Sequence, residues 1–391
     1  MGWCYKSVFI LFLCALLLGC SQEDNEDTFT VDYHDTSIGV MNICVHDTLK
    51  GILQGKDVVE YTVFEQDERL RPVFRIPSVT VSNRGTVLVS CENRSVFADK
   101  GEIDILVSRK ERGDSVWRIR NVISQSSETY GRSMNPVFLI DRDGSQGHKE
   151  RIYLFACHLS GEGFAVETTT EQADIVYKYS DDDGKTWSSE HSLKHLWDLS
   201  EYTAAIPSAA NGIQMSDGTF LLPTMVVKDG KWRSGLLYKK PDSDWKFSLP
   251  TSNVDDNEST VYIDKEGQII LDCRTKKKVR NRYSFDIASG ELSHLENCPV
   301  VKINLKAEIH QIRTYGGAHY YMSFVDTEKG KRENVTLYNS FDALNWEKVY
   351  RLQEGVISGA YSNVSSYDGQ VYVTYETGDA IKVQDISFFF K

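Results

Sequence analysis

The chain has 391 residues, 41% of them hydrophobic and 26% charged, which suits one large all-β domain or two small ones. Its formal net charge of −12 excludes nucleic-acid binding through phosphates as the main activity. It does not exclude an acidic ligand, because a net-acidic protein can hold a locally basic cleft.

The first twenty residues read as an address. Lys6 gives a short positive start, and Ser7 to Leu18 is an apolar run too short to span a membrane as a stable anchor. Leu17-Leu18-Gly19-Cys20 then matches a bacterial lipoprotein cleavage site, in which Cys20 becomes the lipidated first residue. The acidic run Ser21 to Asp27 predicts a flexible tether over 21–35, with the globular domain over 36–391. Such a chain is expected to be exported and held on a membrane through Cys20, at the outer membrane or cell surface. Beyond the signal, Cys44, Cys91, Cys157, Cys273 and Cys298 are widely spaced, without a CxxC pair. They are expected to be small buried hydrophobes, and no metal-site spacing is visible among Cys and His.

From about residue 60, short alternating or apolar runs follow one another: Thr86–Cys91, Arg151–His158, Ile175–Tyr179, Thr219–Val227, Gln268–Cys273, Asn334–Asn339 and Gln370–Glu376. Asp143-Gly144, Asp183-Gly184, Asp217-Gly218, Asp229-Gly230 and Asp368-Gly369 punctuate them. This predicts serial β-hairpins, with one short helix near Lys194–Glu201. Ser180-Asp181-Asp182-Asp183-Gly184-Lys185-Thr186-Trp187 fits the pattern SxDxGxTW. Ser340 to Trp346 is a copy one residue short, and Ser108 to Trp117 a looser one. In this Asp-box, Ser and Asp bind turn amides, Gly allows the tight turn and Trp packs between strands. A repeated unit implies stacking of one supersecondary motif. Roughly 330 residues in four-stranded units of about 55 predict a six-bladed β-propeller, an all-β fold. The stretch before Pro72 is expected to supply a strand that closes the last blade.

Phe74-Arg75-Ile76-Pro77, followed by Gly85 to Leu88, Glu92-Asn93-Arg94, Asn135-Pro136 and the Asp-box, resembles the exo-sialidase family over nearly all of residues 70–391. The resemblance implies three arginines for a sugar carboxylate: Arg75, Arg274 in Leu271-Asp272-Cys273-Arg274, and Arg332 ahead of the short Asp-box copy. Planar, bidentate guanidinium groups suit that task better than Lys. It also implies Tyr361, in Ser358-Gly359-Ala360-Tyr361-Ser362, as nucleophile and Glu258 as the base that activates it. A neutral phenol avoids the repulsion a carboxylate nucleophile would meet at an anomeric carbon that itself bears a carboxylate. Asp99, 24 residues after Arg75, is the implied acid/base, with Glu102 and Asp104 as neighbouring alternatives. Glu376 is the implied support for Arg75. The basic run Lys276 to Arg282 reads as a solvated hairpin tip.

The resemblance thus implies a retaining hydrolase of terminal sialic acid that needs no metal or organic cofactor, with sialylated glycans as its partners. Two alternatives remain open: a hydrolase of another 2-keto-3-deoxy sugar acid such as Kdo, and a non-catalytic sialoglycan-binding propeller.

Overall fold

The computed structural model describes residues 41–43, 47–53, 56–124, 131–159, 173–196, 202–254, 256–275, 280–295, 311–315, 319–325, 332–355 and 359–387. Among them the strands form six antiparallel blades of four main strands, with Met41–Ile43, Asp47–Leu53 and Ile213–Gln214 added to the first, sixth and third. The first blade holds Val73–Val81, Val87–Arg94, Ile103–Lys110 and Trp117–Ile123; the second holds Arg132–Asp141, Arg151–Leu159, Ala173–Ser180 and His191–Ser192. The third is Tyr202–Pro207, Phe220–Lys228, Lys231–Lys239 and Lys246–Phe247; the fourth is Asp256–Ile263, Ile269–Thr275, Arg280–Asp286 and Glu291–His294. The fifth is Gln311–Tyr315, His319–Val325, Val335–Ser340 and Glu347–Arg351. The sixth joins Ser362–Tyr367, Gln370–Glu376 and Ile381–Asp385 to Lys56–Phe64 from the start of the domain. This is the six-bladed β-propeller expected from the sequence.

The closure has a physical motive. A three-stranded sixth blade would leave Ile381–Asp385 as a bare edge, ready to pair with another chain. Lys56–Phe64 covers it, Tyr61 lying opposite Val383. The joint is sealed by a buried carboxylate, Glu60, which accepts hydrogen bonds from Tyr375 Oη, Lys382 Nζ (2.9 Å) and Gln384 Nε2 (2.8 Å). Asp229-Gly230 and Asp368-Gly369 are two-residue hairpin turns with positive φ at both positions, the conformation that suits the twist of the flanking strands.

The blades pack face to face, so their central strands are buried on both sides: every residue of Val87–Arg94 and of Arg132–Asp141 is buried. Each seam is an apolar cluster. Leu88, Ile105 and Val107 of the first blade meet Phe138, Ile140 and Leu154 of the second. Phe155 and Ile175 of the second meet Phe220 and Leu237 of the third. Cys91, Cys157 and Cys273 lie in these seams as buried free thiols, and burial raises their pKa. Cys44 and Cys298 lie outside the described residues, as do Cys20, the 21–35 tether and Lys276 to Val279. Of the short helix expected near Lys194, a 3₁₀ turn over Lys194–Leu196 is described.

The Asp-box performs the structural work expected of it. Asp182 accepts from the Thr186 amide (2.8 Å) and hydroxyl (2.6 Å), and Ser180 Oγ accepts from the Gly184 amide at 2.8 Å. A Cβ on Gly184, at φ +79°, would come within 2.5 Å of Leu88, so only Gly fits. The short copy works too: Asp342 accepts from Ser340 Oγ, the amides of Leu344 and Asn345, and Asn345 Nδ2. Burial opposes its charge, but those hydrogen bonds hold its carboxyl well below the usual carboxylate range. The loosest copy does not form a box. Ser108 lies inside the strand Ile103–Lys110, too far from Asp114 to share a turn with it.

Candidate active site

Site residues sit where regular pairing breaks. In the first blade the register slips between Arg75 and Ser78, with Ile76 at φ +51° ahead of Pro77. The second blade repeats the device: a slip between Met134 and Val137, with Asn135 at φ +56° ahead of Pro136. The fourth blade slips between Asp256 and Ser259, around Glu258. Bulges of this kind re-aim side chains, and a β-branched residue at positive φ persists only where its surroundings enforce it. Here they do: the Ile76 amide donates to Glu376 Oε1 at 2.7 Å, and the Asn135 amide to Glu92 Oε1 at 2.7 Å.

The result is one cleft of about 260 Å³ lined by Arg75, Asp99, Glu258, Arg274, Arg332 and Tyr361. Arg75, Glu258 and Arg274 lie on strands of the first and fourth blades, and Asp99, Arg332 and Tyr361 on the segments that lead into strands of the first, fifth and sixth. Glu376 stands behind them, fully buried.

Tyr361 and Glu258 form the centre. Tyr361 Oη donates to Glu258 Oε1 at 2.7 Å, and the other oxygen of Glu258 accepts from Arg274 Nη1. Arg274 Nη1 also lies 3.4 Å from Tyr361 Oη. The tyrosine ring is flanked by two further guanidinium groups, Arg75 at 5.6 Å and Arg332 at 5.5 Å from its centroid. Three cations around one phenol favour negative charge developing on its oxygen, while a carboxylate within hydrogen-bond reach can take its proton.

Arg75 is 6% exposed. Its Nε lies 3.5 Å from Glu376 Oε2, Nη1 lies 3.9 Å from Asp99 Oδ1, and its plane covers the Phe97 ring at 4.5 Å. Burial alone would lower its pKa; the negative charge of Glu376, helped by neighbouring acidic groups, reverses this and the net shift is upward. Arg332 donates to the Gly359 carbonyl at 2.8 Å, which ties it to the turn carrying Tyr361.

Gly359 is obligatory in that turn. Its φ is +84°, and a Cβ would fall 1.5 Å from Glu376 Oε2. Gly359→Ala is therefore expected to displace the support behind Arg75 and to destabilise the fold by more than about 1 kcal/mol. A thermal melt and a KM measurement check this: Tm should fall and KM rise, and an unchanged pair would mean that the turn relaxes freely.

Asp99 lies on the loop between Val87–Arg94 and Ile103–Lys110, its side chain 47% exposed at the rim. Its carboxylate accepts from Arg94 Nη1 at 2.7 Å and its backbone carbonyl from Arg132 Nη1 at 2.9 Å. The neighbouring alternatives are engaged elsewhere: Glu102 and Asp104 both pair with Arg71. Glu102 ends the loop and Asp104 lies in the strand Ile103–Lys110 that follows it; their shared partner was not legible in the sequence.

Sequence reasoning left Arg94 without a role. It is wholly buried and bridges Asp99 to the buried carboxylate of Glu92, whose pKa burial pushes up. The signal was the i, i+2 spacing of Glu92 and Arg94, which puts both on one face of a strand. Met134, Ile206, Met225 and Trp232 also went unnoticed; they form an apolar wall of the cleft.

A family model described as a BNR repeat-like domain matches residues 95–373. A sialidase of Paraclostridium sordellii is 25% identical over 363 residues, 84% of this chain and 88% of its own. A sialidase of Clostridium perfringens is 27% identical over 364 residues, 81% and 89% of the two chains. Among solved structures, the Hadza microbial sialidase Hz136 superposes with a TM-score of 0.74 at 21% identity, covering 84% of this chain and 69% of that one. Matched by the family model over well more than half of its length, the chain belongs to the BNR repeat-like domain family.

Proposed function

We propose that this protein is a retaining exo-α-sialidase, a glycoside hydrolase that releases terminal sialic acid from glycoconjugates. The observation that carries the reading is the 2.7 Å hydrogen bond from Tyr361 to Glu258 inside a cleft that also holds Arg75, Arg274 and Arg332. The relatives named as sialidases, aligned over more than four-fifths of the chain, support it.

In this mechanism the three arginines hold the substrate carboxylate, and Arg274 also orients Glu258. Asp99 protonates the departing glycosidic oxygen. Tyr361 Oη, giving its proton to Glu258, bonds to the anomeric carbon as the bond to the leaving group breaks. Asp99, now a carboxylate, takes a proton from water, whose oxygen replaces Tyr361 at that carbon. Glu258 returns the proton to the phenolate. Two displacements on one carbon retain its configuration. The chain carries all three reacting groups, which speaks against a non-catalytic binder.

The apolar wall of Met134, Ile206, Met225 and Trp232 suits the methyl of an N-acetyl group, which a Kdo-type acid lacks. One such contact is worth about 10- to 200-fold in discrimination. Incubating the protein with sialyllactose and with a Kdo glycoside should therefore free sialic acid faster by about that factor. Equal release of both acids would overturn the assignment of substrate, and release of neither would overturn the enzyme.

The same reading includes export. Leu17 to Cys20 and the acidic run after it support lipid attachment at Cys20, a flexible tether over 21–35 and residence at the outer membrane or cell surface. Labelling of cells with a fatty-acid probe should mark the wild type and not Cys20→Ala.

A further inference from the structure

A further cleft lies outside the catalytic constellation. It has a volume of about 400 Å³ and runs between the first blade and the Asp-box turn of the second, with Arg109, Glu111, Arg118, Arg120, Lys185 and Trp187 in its walls. Arg109 lies six residues along its strand from Ile103, where the Asp99 loop ends, so roughly 20 Å separates this cleft from the rim of the other.

The arrangement of charge is costly for a purely structural surface. Arg118 and Arg120 are two apart on the strand Trp117–Ile123, so both face the cleft, while Trp117 and Ile119 between and beside them face the core. In the antiparallel register Arg109 sits directly opposite Arg118, and Val107 opposite Arg120. Like charges directly opposite destabilise a strand pair. Arg109 offsets this with Glu111 (3.0 Å) and the Asp183 carbonyl (3.1 Å), and Arg118 with Asp114 (2.6 Å). Lys185 shares Glu111 at 3.4 Å. Arg120 has no hydrogen-bond or ion-pair partner among the described residues. Trp187 is half-buried and packs against the apolar seam between the first and second blades, leaving part of its ring to line the cleft.

We infer that this cleft is a second saccharide-binding site, taking an acidic sugar by its carboxylate on Arg120 and by its ring or hydroxyls against Trp187. A cation cluster in a protein of net charge −12 selects for anions locally, a guanidinium binds carboxylate in a bidentate fork, and the part-exposed indole supplies a flat apolar face. The Asp-box turn thereby places Lys185 and Trp187 as well as holding its blade. The site contains none of the catalytic groups and would hold a branched or polymeric acidic glycan on the enzyme between cleavages.

The test follows the Trp187 indole N–H resonance, identified by its loss in Trp187→Phe, while 3′-sialyllactose is titrated into the full chain carrying Tyr361→Phe to prevent turnover. A saturating shift with a Kd on the order of 1 mM is expected, with lactose giving none. Arg120→Ala should weaken the binding by about tenfold or more, and Lys185→Ala, on an exposed side chain, should weaken it less. In an otherwise unaltered chain, Arg120→Ala should leave kcat/KM toward a small aryl sialoside unchanged. An indole signal that does not move, that moves equally with lactose, or that titrates identically in Arg120→Ala overturns the site. Because the readout is local to Trp187, it is independent of whether the other cleft hydrolyses sialosides.

Discussion

Tyr361→Phe is expected to fold as the wild type does and to lose turnover of sialosides by several orders of magnitude, the usual consequence of deleting an activated nucleophile. The substitution removes one oxygen. It leaves the ring between Arg75 and Arg332 and the strand pairing of Ser362–Tyr367, so packing is preserved. What it removes is the atom that bonds to the anomeric carbon and the donor to Glu258. Substrate affinity should survive, since the arginines remain. The measurement is single-turnover kinetics beside a thermal melt and a binding titration. A folded variant with near-normal kcat would take Tyr361 out of the mechanism. A fluorinated sialosyl donor that traps the glycosyl-enzyme should label Tyr361 in the wild type.

Asp99→Ala is expected to cost about 10²- to 10⁴-fold on natural sialosides, the range for a general acid. The loss should shrink sharply on an aryl sialoside, whose leaving group departs without a proton. That contrast separates acid catalysis from positioning. Asp99 is also an anion next to Arg94 and Arg75, at 2.7 and 3.9 Å, so its removal disturbs both guanidinium groups. A purely electrostatic role would reduce the two substrates equally. The comparison of kcat/KM on sialyllactose and on the aryl sialoside reads the difference directly.

The repeat architecture is largely legible in the amino-acid sequence. Each of the seven alternating or apolar runs forms all or most of a strand. Alternation, Asp-Gly turns and the Asp-box depend on contacts within about ten residues, and such local rules are written along the chain. The looser copy from Ser108 to Trp117 fails for the same reason. Its Ser and Asp are too far apart to close one turn, whatever the surrounding fold does.

Chain order and motif also name the chemistry-bearing residues, because a carboxylate-reading site needs arginines and a phenol needs a base. The distances between them belong to the tertiary structure alone. Tyr361 and Glu258 are 103 residues apart, and Arg75 and Glu376 are about 300 apart. The first and sixth blades meet in one apolar cluster, Val79, Val81 and Val89 packing with Tyr372, Ile381 and Val383. The partners of the acidic residues around Asp99 are set in the tertiary structure too: Arg71 holds Glu102 and Asp104, and Arg94 holds Asp99. Residue types, turns and repeats are determined by local stereochemistry and can be read from the sequence; the pairs that join one blade to another, Tyr361 with Glu258 and Arg75 with Glu376, depend on packing between blades, and no local pattern encodes them.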